Sequence, residues 1–121
     1  MIVFDASSLL AFLQGERGAA GVEVALQEGG CCGTANWSEV AQKVLAHGRN
    51  WDLARALLIS FELATEVVTA DDAERAARSW HHGNGLSLAD RLCLALGERL
   101  DADVLTADRT WGTAGRIRQI R

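Results

Sequence analysis

Short runs with β character alternate with longer stretches of helical period along this chain, and no other feature restricts its fold as much. Four runs have the length and residue types of strands: MIVF at the start, CCGT at 31–34, TEVV at 65–68 and DVLT at 103–106. A fifth, Ile117 to Ile120, lies near the end. A helix is predicted from Ser7 onward, with Leu9 to Leu13 as its apolar side. In 36–47, Trp37, Val40, Ala41, Val44 and Leu45 recur at the spacing of a half-buried helix. The segments 51–63, 71–82 and 86–100 also read as helices, the last being the most apolar. Gly15, Gly29-Gly30 and Gly83-Asn84-Gly85 punctuate as loops. Strands separated by helices pair in parallel through right-handed crossovers. The expected fold is α/β: a three-layer α/β/α arrangement with a mainly parallel sheet flanked by helices, in a single domain over residues 1–121.

Composition agrees with a folded domain and narrows its partners. Apolar residues are 49% and charged residues 23% of the 121, enough for one core and unlike a disordered chain. No apolar run is long enough to span a bilayer, and no basic stretch precedes the first one, so a cytoplasmic location is expected. Cys31 and Cys32 are adjacent and Cys93 lies among apolar neighbours, so the three thiols read as small core residues. His47, His81 and His82 have no zinc-site spacing. A net charge of −4 argues against nucleic-acid binding through bulk positive charge. It leaves room for an acidic site that needs cations. Arg116, Arg118 and Arg121 are expected in a solvated, frayed tail.

In open parallel sheets the functional crevice lies beyond the carboxyl ends of the strands. Four acids occupy that kind of position. Asp5 directly follows the first run, and Asp108 follows DVLT by two residues, in TADRTW. Glu39 sits early in the helix after the second run, in TANWSEV, and Asp90 early in the apolar helix, in LSLAD. Carboxylates drawn together repel one another unless a cation lies between them, and Mg2+ or Mn2+ suits an oxygen-only donor set. Three of the four also have a local explanation. Asp5 can cap the first helix, Asn36-x-x-Glu39 and Ser87-x-x-Asp90 resemble capping boxes, and Glu39 has Lys43 four residues on as a partner for an ion pair. Asp90 is less easily assigned to capping alone, because Cys93, Leu94 and Gly97 make its side of the helix apolar. Asp71 repeats the Thr-Ala-Asp setting of Asp108 before a mostly polar helix, and reads as an ordinary helix start.

The fragments FDASSLLAFLQGE, TANWSEV, LSLADRLCLALGERL and VLTADRTW, in this order, resemble a PIN-domain ribonuclease of the VapC toxin type over essentially the whole chain. Asp5 matches the family's first acid, in a D-x-S setting with Ser7. Glu39, Asp90 and Asp108 match the other three, Thr106 precedes the last acid, and Trp111 fits the T-x-D-R-x-W ending. The resemblance implies a Mg2+- or Mn2+-dependent endoribonuclease that forms homodimers and is neutralised by a small antitoxin protein. It implies Asp5, Asp90 and Asp108 as metal ligands, with Glu39 as a further ligand or as the group that positions the attacking water. Ser7 and Thr106 would orient the carboxylates, and Arg91 and Arg109 would hold flanking RNA phosphates.

Other readings of the same alternation fit less well. A phosphoacceptor receiver domain needs paired acids after the first strand and a late lysine, whereas Phe4 precedes Asp5 and Lys43 is the only lysine. A D-x-D phosphatase fails at Ser7. The remaining rival is a catalytically inactive PIN-like binding module acting through protein partners.

Overall fold

Alternation within the strands decides which side of the sheet each helix covers. The computed structural model describes residues 1–121. In chain order the elements are β1 (Ile2–Phe4), α1 (Ala6–Gln14), α2 (Ala19–Glu28), β2 (Gly30–Gly33), α3 (Thr34–Ala46), α4 (Trp51–Ser60), β3 (Ala64–Glu66), α5 (Ala70–Arg78), α6 (Leu88–Leu100), β4 (Asp103–Thr106) and β5 (Ile117–Gln119), with a 3-10 turn at Arg109–Trp111. Ile2, Phe4, Cys32 and Leu105 point to one face and pack against Leu9 and Leu10 of α1, Val22 and Leu26 of α2, Val40 and Val44 of α3 and Leu58 of α4. Their neighbours Val3, Cys31 and Val104 point to the other face, where Cys93 and Leu96 of α6 and the Trp111 indole cover them. Successive strand residues face opposite ways, so two cores form on one sheet.

All five strands are parallel, in the order β3-β2-β1-β4-β5. The connections through α1 to α4 run outward from β1 on one face. The connection through α5 and α6 crosses back on the other face and enters β4, on the opposite side of β1. The strand order therefore reverses between β1 and β4, and in open parallel sheets the carboxyl ends at such a switch point carry the functional site. Asp5 and Asp108 lie at those ends.

Several boundaries and roles differ from the sequence expectation for physical reasons. Helix α2 is not anticipated: it lies between Gly18 and Gly29, contains Gly21, and buries only Val22 and Leu26. Helix α3 starts at Thr34, two residues early, so its buried face is Asn36, Val40 and Val44, while Leu45 is 59% exposed. The third strand is Ala64–Glu66, with Val67 and Val68 beyond it and exposed. The C-terminal arginines do not fray. Arg116 bridges Glu98 and Asp101, Arg118 pairs with Asp103, and Arg121 donates to the Arg17 carbonyl, holding β5 as an ordered edge strand. At Gly97 a Cβ would stand 2.5 Å from Val104 Cγ2, so α6 lies on β4 as closely as a glycine allows.

Candidate functional site

The first strand delivers Asp5 into a ring of donors. The Asp5 N–H continues the sheet by donating to Leu105 O of β4, at 3.1 Å. Its carboxylate, 2% exposed, caps α1 by accepting from the Ser8 N–H at 2.8 Å. The Ser7 hydroxyl stands 2.8 Å from both carboxylate oxygens, and the buried Thr106 hydroxyl donates to Oδ2 at 2.5 Å. Each hydroxyl in turn accepts a backbone N–H, Ser7 from Ala107 at 2.9 Å and Thr106 from Asp108 at 3.0 Å. Those N–H groups occupy acceptor lone pairs and leave the hydroxyl protons for Asp5. The expected cap and the expected site acid are thus the same carboxylate.

Burial pushes the Asp5 carboxyl above its ordinary value, and the donors from Thr106, Ser8 and Ser7 offset this only in part. No arginine or lysine pairs with Asp5; the ion pairs all lie elsewhere. The buried thiols beneath it respond to the same charge. Burial raises Cys93, and the charges of Asp5 and Asp90 raise it further; burial also raises Cys32, with Asp5 and Glu39 adding to the effect. Asp5 is therefore the acid whose field overlaps those of both Glu39 and Asp90.

Helix polarity brings the other acids to the same edge. Helix α3 leaves the carboxyl end of β2, and α6 runs back toward the amino end of β4, so both place their N-terminal turns at the edge that holds Asp5. Glu39 does not form the expected capping box. Because α3 begins at Thr34 with Gly33 as its N-cap, Asn36 lies inside the helix and donates from Nδ2 to Glu39 Oε1 at 3.3 Å. The same Nδ2 reaches Ala89 O at 3.3 Å, which ties α3 to the residue before Asp90. Asn36 Oδ1 is buried without a partner. The expected ion pair between Glu39 and Lys43 does not form.

The Ser87-Asp90 box does form: Asp90 Oδ2 accepts the Ser87 N–H at 3.0 Å, which leaves Oδ1 without a protein donor. Asp108 caps the 3-10 turn through Oδ1, which accepts from the Thr110 N–H at 3.0 Å and the Thr110 hydroxyl at 2.6 Å, while Oδ2 has no protein donor. Its N–H on Thr106 connects it to the Asp5 cradle. Asp71 is exposed, while its neighbour Asp72 is buried, makes the capping box of α5 and pairs with Arg99 at 3.0 Å.

The four acids share an edge but not a closed cage. No three His, Cys, Asp or Glu side chains stand close enough together to hold an ion by themselves. The donor set nevertheless fits a hard divalent cation. Every candidate atom is oxygen, Glu39, Asp90 and Asp108 each keep an oxygen with no protein donor, Asn36 Oδ1 is orphaned, and Asp5 carries a buried charge with no basic partner. Arg109 is exposed, next to Asp108. Arg91, next to Asp90, donates from Nη1 to Ala76 O of α5 at 2.8 Å. The acids line none of the cavities, one of which, about 410 Å³, lies between α5, α6 and the start of β5.

Asn36 and Gln119 adjoin these acids, and neither is among the expected site residues. By its spacing Asn36 reads as the cap of a box with Glu39, whereas it lies inside α3 as a buried partner of that acid. Gln119 gave no signal before the pairing of β5 with β4 was known.

Comparison with known proteins agrees with the fold. The chain resembles a solved toxin-antitoxin complex from Klebsiella pneumoniae with a TM-score of 0.81 at 19% identity, covering 100% of this chain and 98% of that one. No curated protein matches it. The sequence model of the PIN domain matches residues 2–116. On that match the chain belongs to the PIN domain family.

Proposed function

We propose that this protein is a metal-dependent endoribonuclease of the VapC type, the toxin of a toxin-antitoxin pair, working as one nuclease unit over residues 1–121. The observation that carries the proposal is Asp5: a buried carboxylate at the point where the strand order reverses, held by three donors and matched by no protein cation. Such an arrangement is costly without an ion and useful with one. Membership of a family whose members are generally nucleases supports the hydrolase reading. The fold of a toxin-antitoxin complex supports an antitoxin partner.

In this reading Asp5, Asp90 and Asp108 hold Mg2+ or Mn2+, and Glu39 is a further ligand or positions the attacking water. When bound, the cation lowers the pKa of water and neutralises charge on a phosphodiester in its transition state. Ser7 and Thr106 keep the Asp5 oxygens aimed, because both hydroxyl protons are committed to that carboxylate. Asn36 holds Glu39 against the start of α6. Arg109, free at the rim, contacts a flanking phosphate; Arg91, with one arm on Ala76 O, contributes from farther back. The acids line no deep cavity, and an open edge suits a polymer strand. We further propose that the protein acts as a homodimer in the cytoplasm. No helix is long and apolar enough to cross a membrane.

The inactive binding module is the second reading, and the loose spacing of the acids is the observation that favours it. One experiment separates the two. Purified protein is incubated with transfer, ribosomal and messenger RNA in Mg2+, Mn2+ or chelator, alongside Asp5→Asn and Asp71→Asn. The nuclease reading expects cleavage that chelator stops, that Asp5→Asn abolishes and that Asp71→Asn leaves nearly intact. Cleavage unchanged in Asp5→Asn would refute this site, and no cleavage of any RNA with either ion would favour the module.

A further inference from the structure

The turn that carries Asp108 is closed by a side chain from the last strand. Gln119 pairs in register with Thr106 across β4 and β5, and Ile120 N–H donates to Thr106 O at 3.0 Å. From there the Gln119 amide spans the turn. Its Nε2 donates to Asp108 O at 3.0 Å and to Gly112 O at 2.8 Å, which uses both of its hydrogens. These carbonyls are the first and last of the five-residue turn. The orientation of the amide is unambiguous, since a flip would set Oε1 against two carbonyl oxygens.

That orientation leaves Gln119 Oε1 buried without a partner. A buried acceptor left unpaired is destabilising and calls for a reason. The reason lies in what the two donated bonds fix. Asp108 N–H is held by Thr106, its Oδ1 by Thr110, and its carbonyl by Trp111 N–H as well as by Gln119. Gly112, with φ of 71°, reverses the chain after the turn, and Trp111 anchors it from the core side. Without Gln119 nothing outside the turn holds its far end at Gly112 O.

We propose that Gln119 is a positioning residue: a latch that sets the direction of the Asp108 carboxylate by clamping both ends of the 108–112 turn. The metal-ligand role of Asp108 on which its consequence depends is the reading given under Proposed function. Gln119 touches neither a cation nor RNA; it acts through the backbone of Asp108. Its two donated bonds are the active feature, so removing donation should matter more than removing bulk.

The test uses the full chain with Gln119→Met, which keeps shape without donors, and Gln119→Glu, which sets a carboxylate against the two carbonyls. Three quantities are measured: amide exchange at Thr110 and Trp111, Mn2+ affinity by calorimetry, and the urea midpoint. A latch predicts exchange at these two amides at least about tenfold faster in both variants, with Gln119→Glu the more affected. It also predicts Mn2+ affinity lower by about 10–100-fold, the range for groups that orient ligands. The amides of α1 and α3 should exchange as in the wild type. Wild-type exchange at Thr110 and Trp111 in both variants would overturn the latch, whatever the affinity. So would wild-type Mn2+ affinity in both variants. If the unaltered protein takes up no Mn2+, the metal reading fails by itself, and the exchange measurement still decides the latch.

Discussion

Replacing Thr106 by valine isolates the hydroxyl that joins Asp5 to Asp108. The two side chains have nearly the same shape, and position 106 is fully buried, so the change opens no cavity. It removes the donor to Asp5 Oδ2 and the acceptor of the Asp108 N–H. A hydrogen bond to a charged group is worth about 1.5–3 kcal/mol, and an N–H left without its partner adds up to about 1 kcal/mol where water can reach it. The expected loss at neutral pH is about 2–4 kcal/mol, read as a shift of the urea midpoint. The sign of the pH dependence follows from Asp5. Burial holds its folded pKa above the unfolded value, with the Thr106 bond as an opposing influence, so valine raises it further. A raised carboxyl loses stability as pH rises through the unfolded and then the folded value, and the variant loses more. The difference between the proteins is therefore greatest at neutral pH and shrinks toward about pH 3, where Asp5 is protonated in both states. A loss below about 0.5 kcal/mol, or one equal at both pH values, would refute the assignment of that proton to Asp5.

Other perturbations test separate parts of the structure. Arg99→Met strips the buried Asp72 of its guanidinium: burial alone would raise that carboxyl, but Arg99 and the Thr69 N–H hold it below the ordinary value. The expected cost is about 1–3 kcal/mol at neutral pH. A lowered carboxyl contributes its stability above the unfolded pKa and loses it as pH falls through the folded one, so the cost should fade on acidification; a constant cost in urea unfolding would contradict the pairing. Gly97→Val forces a branched side chain against Val104 and should cost about 1–3 kcal/mol in the same assay, whereas an unchanged midpoint would show that α6 is not so closely seated on β4. Asn36→Leu keeps the buried volume but releases Glu39 from the start of α6, and should weaken Mn2+ binding about tenfold while leaving the fold intact. Wild-type affinity in that variant would remove Asn36 from the site.

What the chain discloses about itself follows from how far each interaction reaches. The layer order is legible because it depends on neighbours: Val3 between Ile2 and Phe4, or Cys31 beside Cys32, sorts side chains to two faces with no knowledge of the partners. Asp5, Asp90 and Asp108 are legible for a similar reason, each standing at an element boundary that propensity marks. Features set by distant partners are hidden. The arginines near the C-terminus look solvated until Glu98, Asp101 and Asp103 come opposite them. Glu39 looks like a capping residue until α3 starts two residues early and Asn36 turns inward. The roles of Gln119 and Asp72 depend on strand register and on a helix 27 residues away in sequence, which no local pattern records. Helix α2 is hidden by composition, since Gly21 and the flanking glycines mask a period that only Val22 and Leu26 mark.

The central claim is that the carboxylates of the β1–β4 edge form one cation site with Asp5 at its heart. Its most direct test is a calorimetric titration of the purified protein with Mn2+, repeated on Asp5→Asn and Asp71→Asn. The account predicts saturable uptake by the wild type, matched by Asp71→Asn and lost or weakened at least about tenfold in Asp5→Asn. Equal uptake by all three proteins, or none by the wild type, would contradict it.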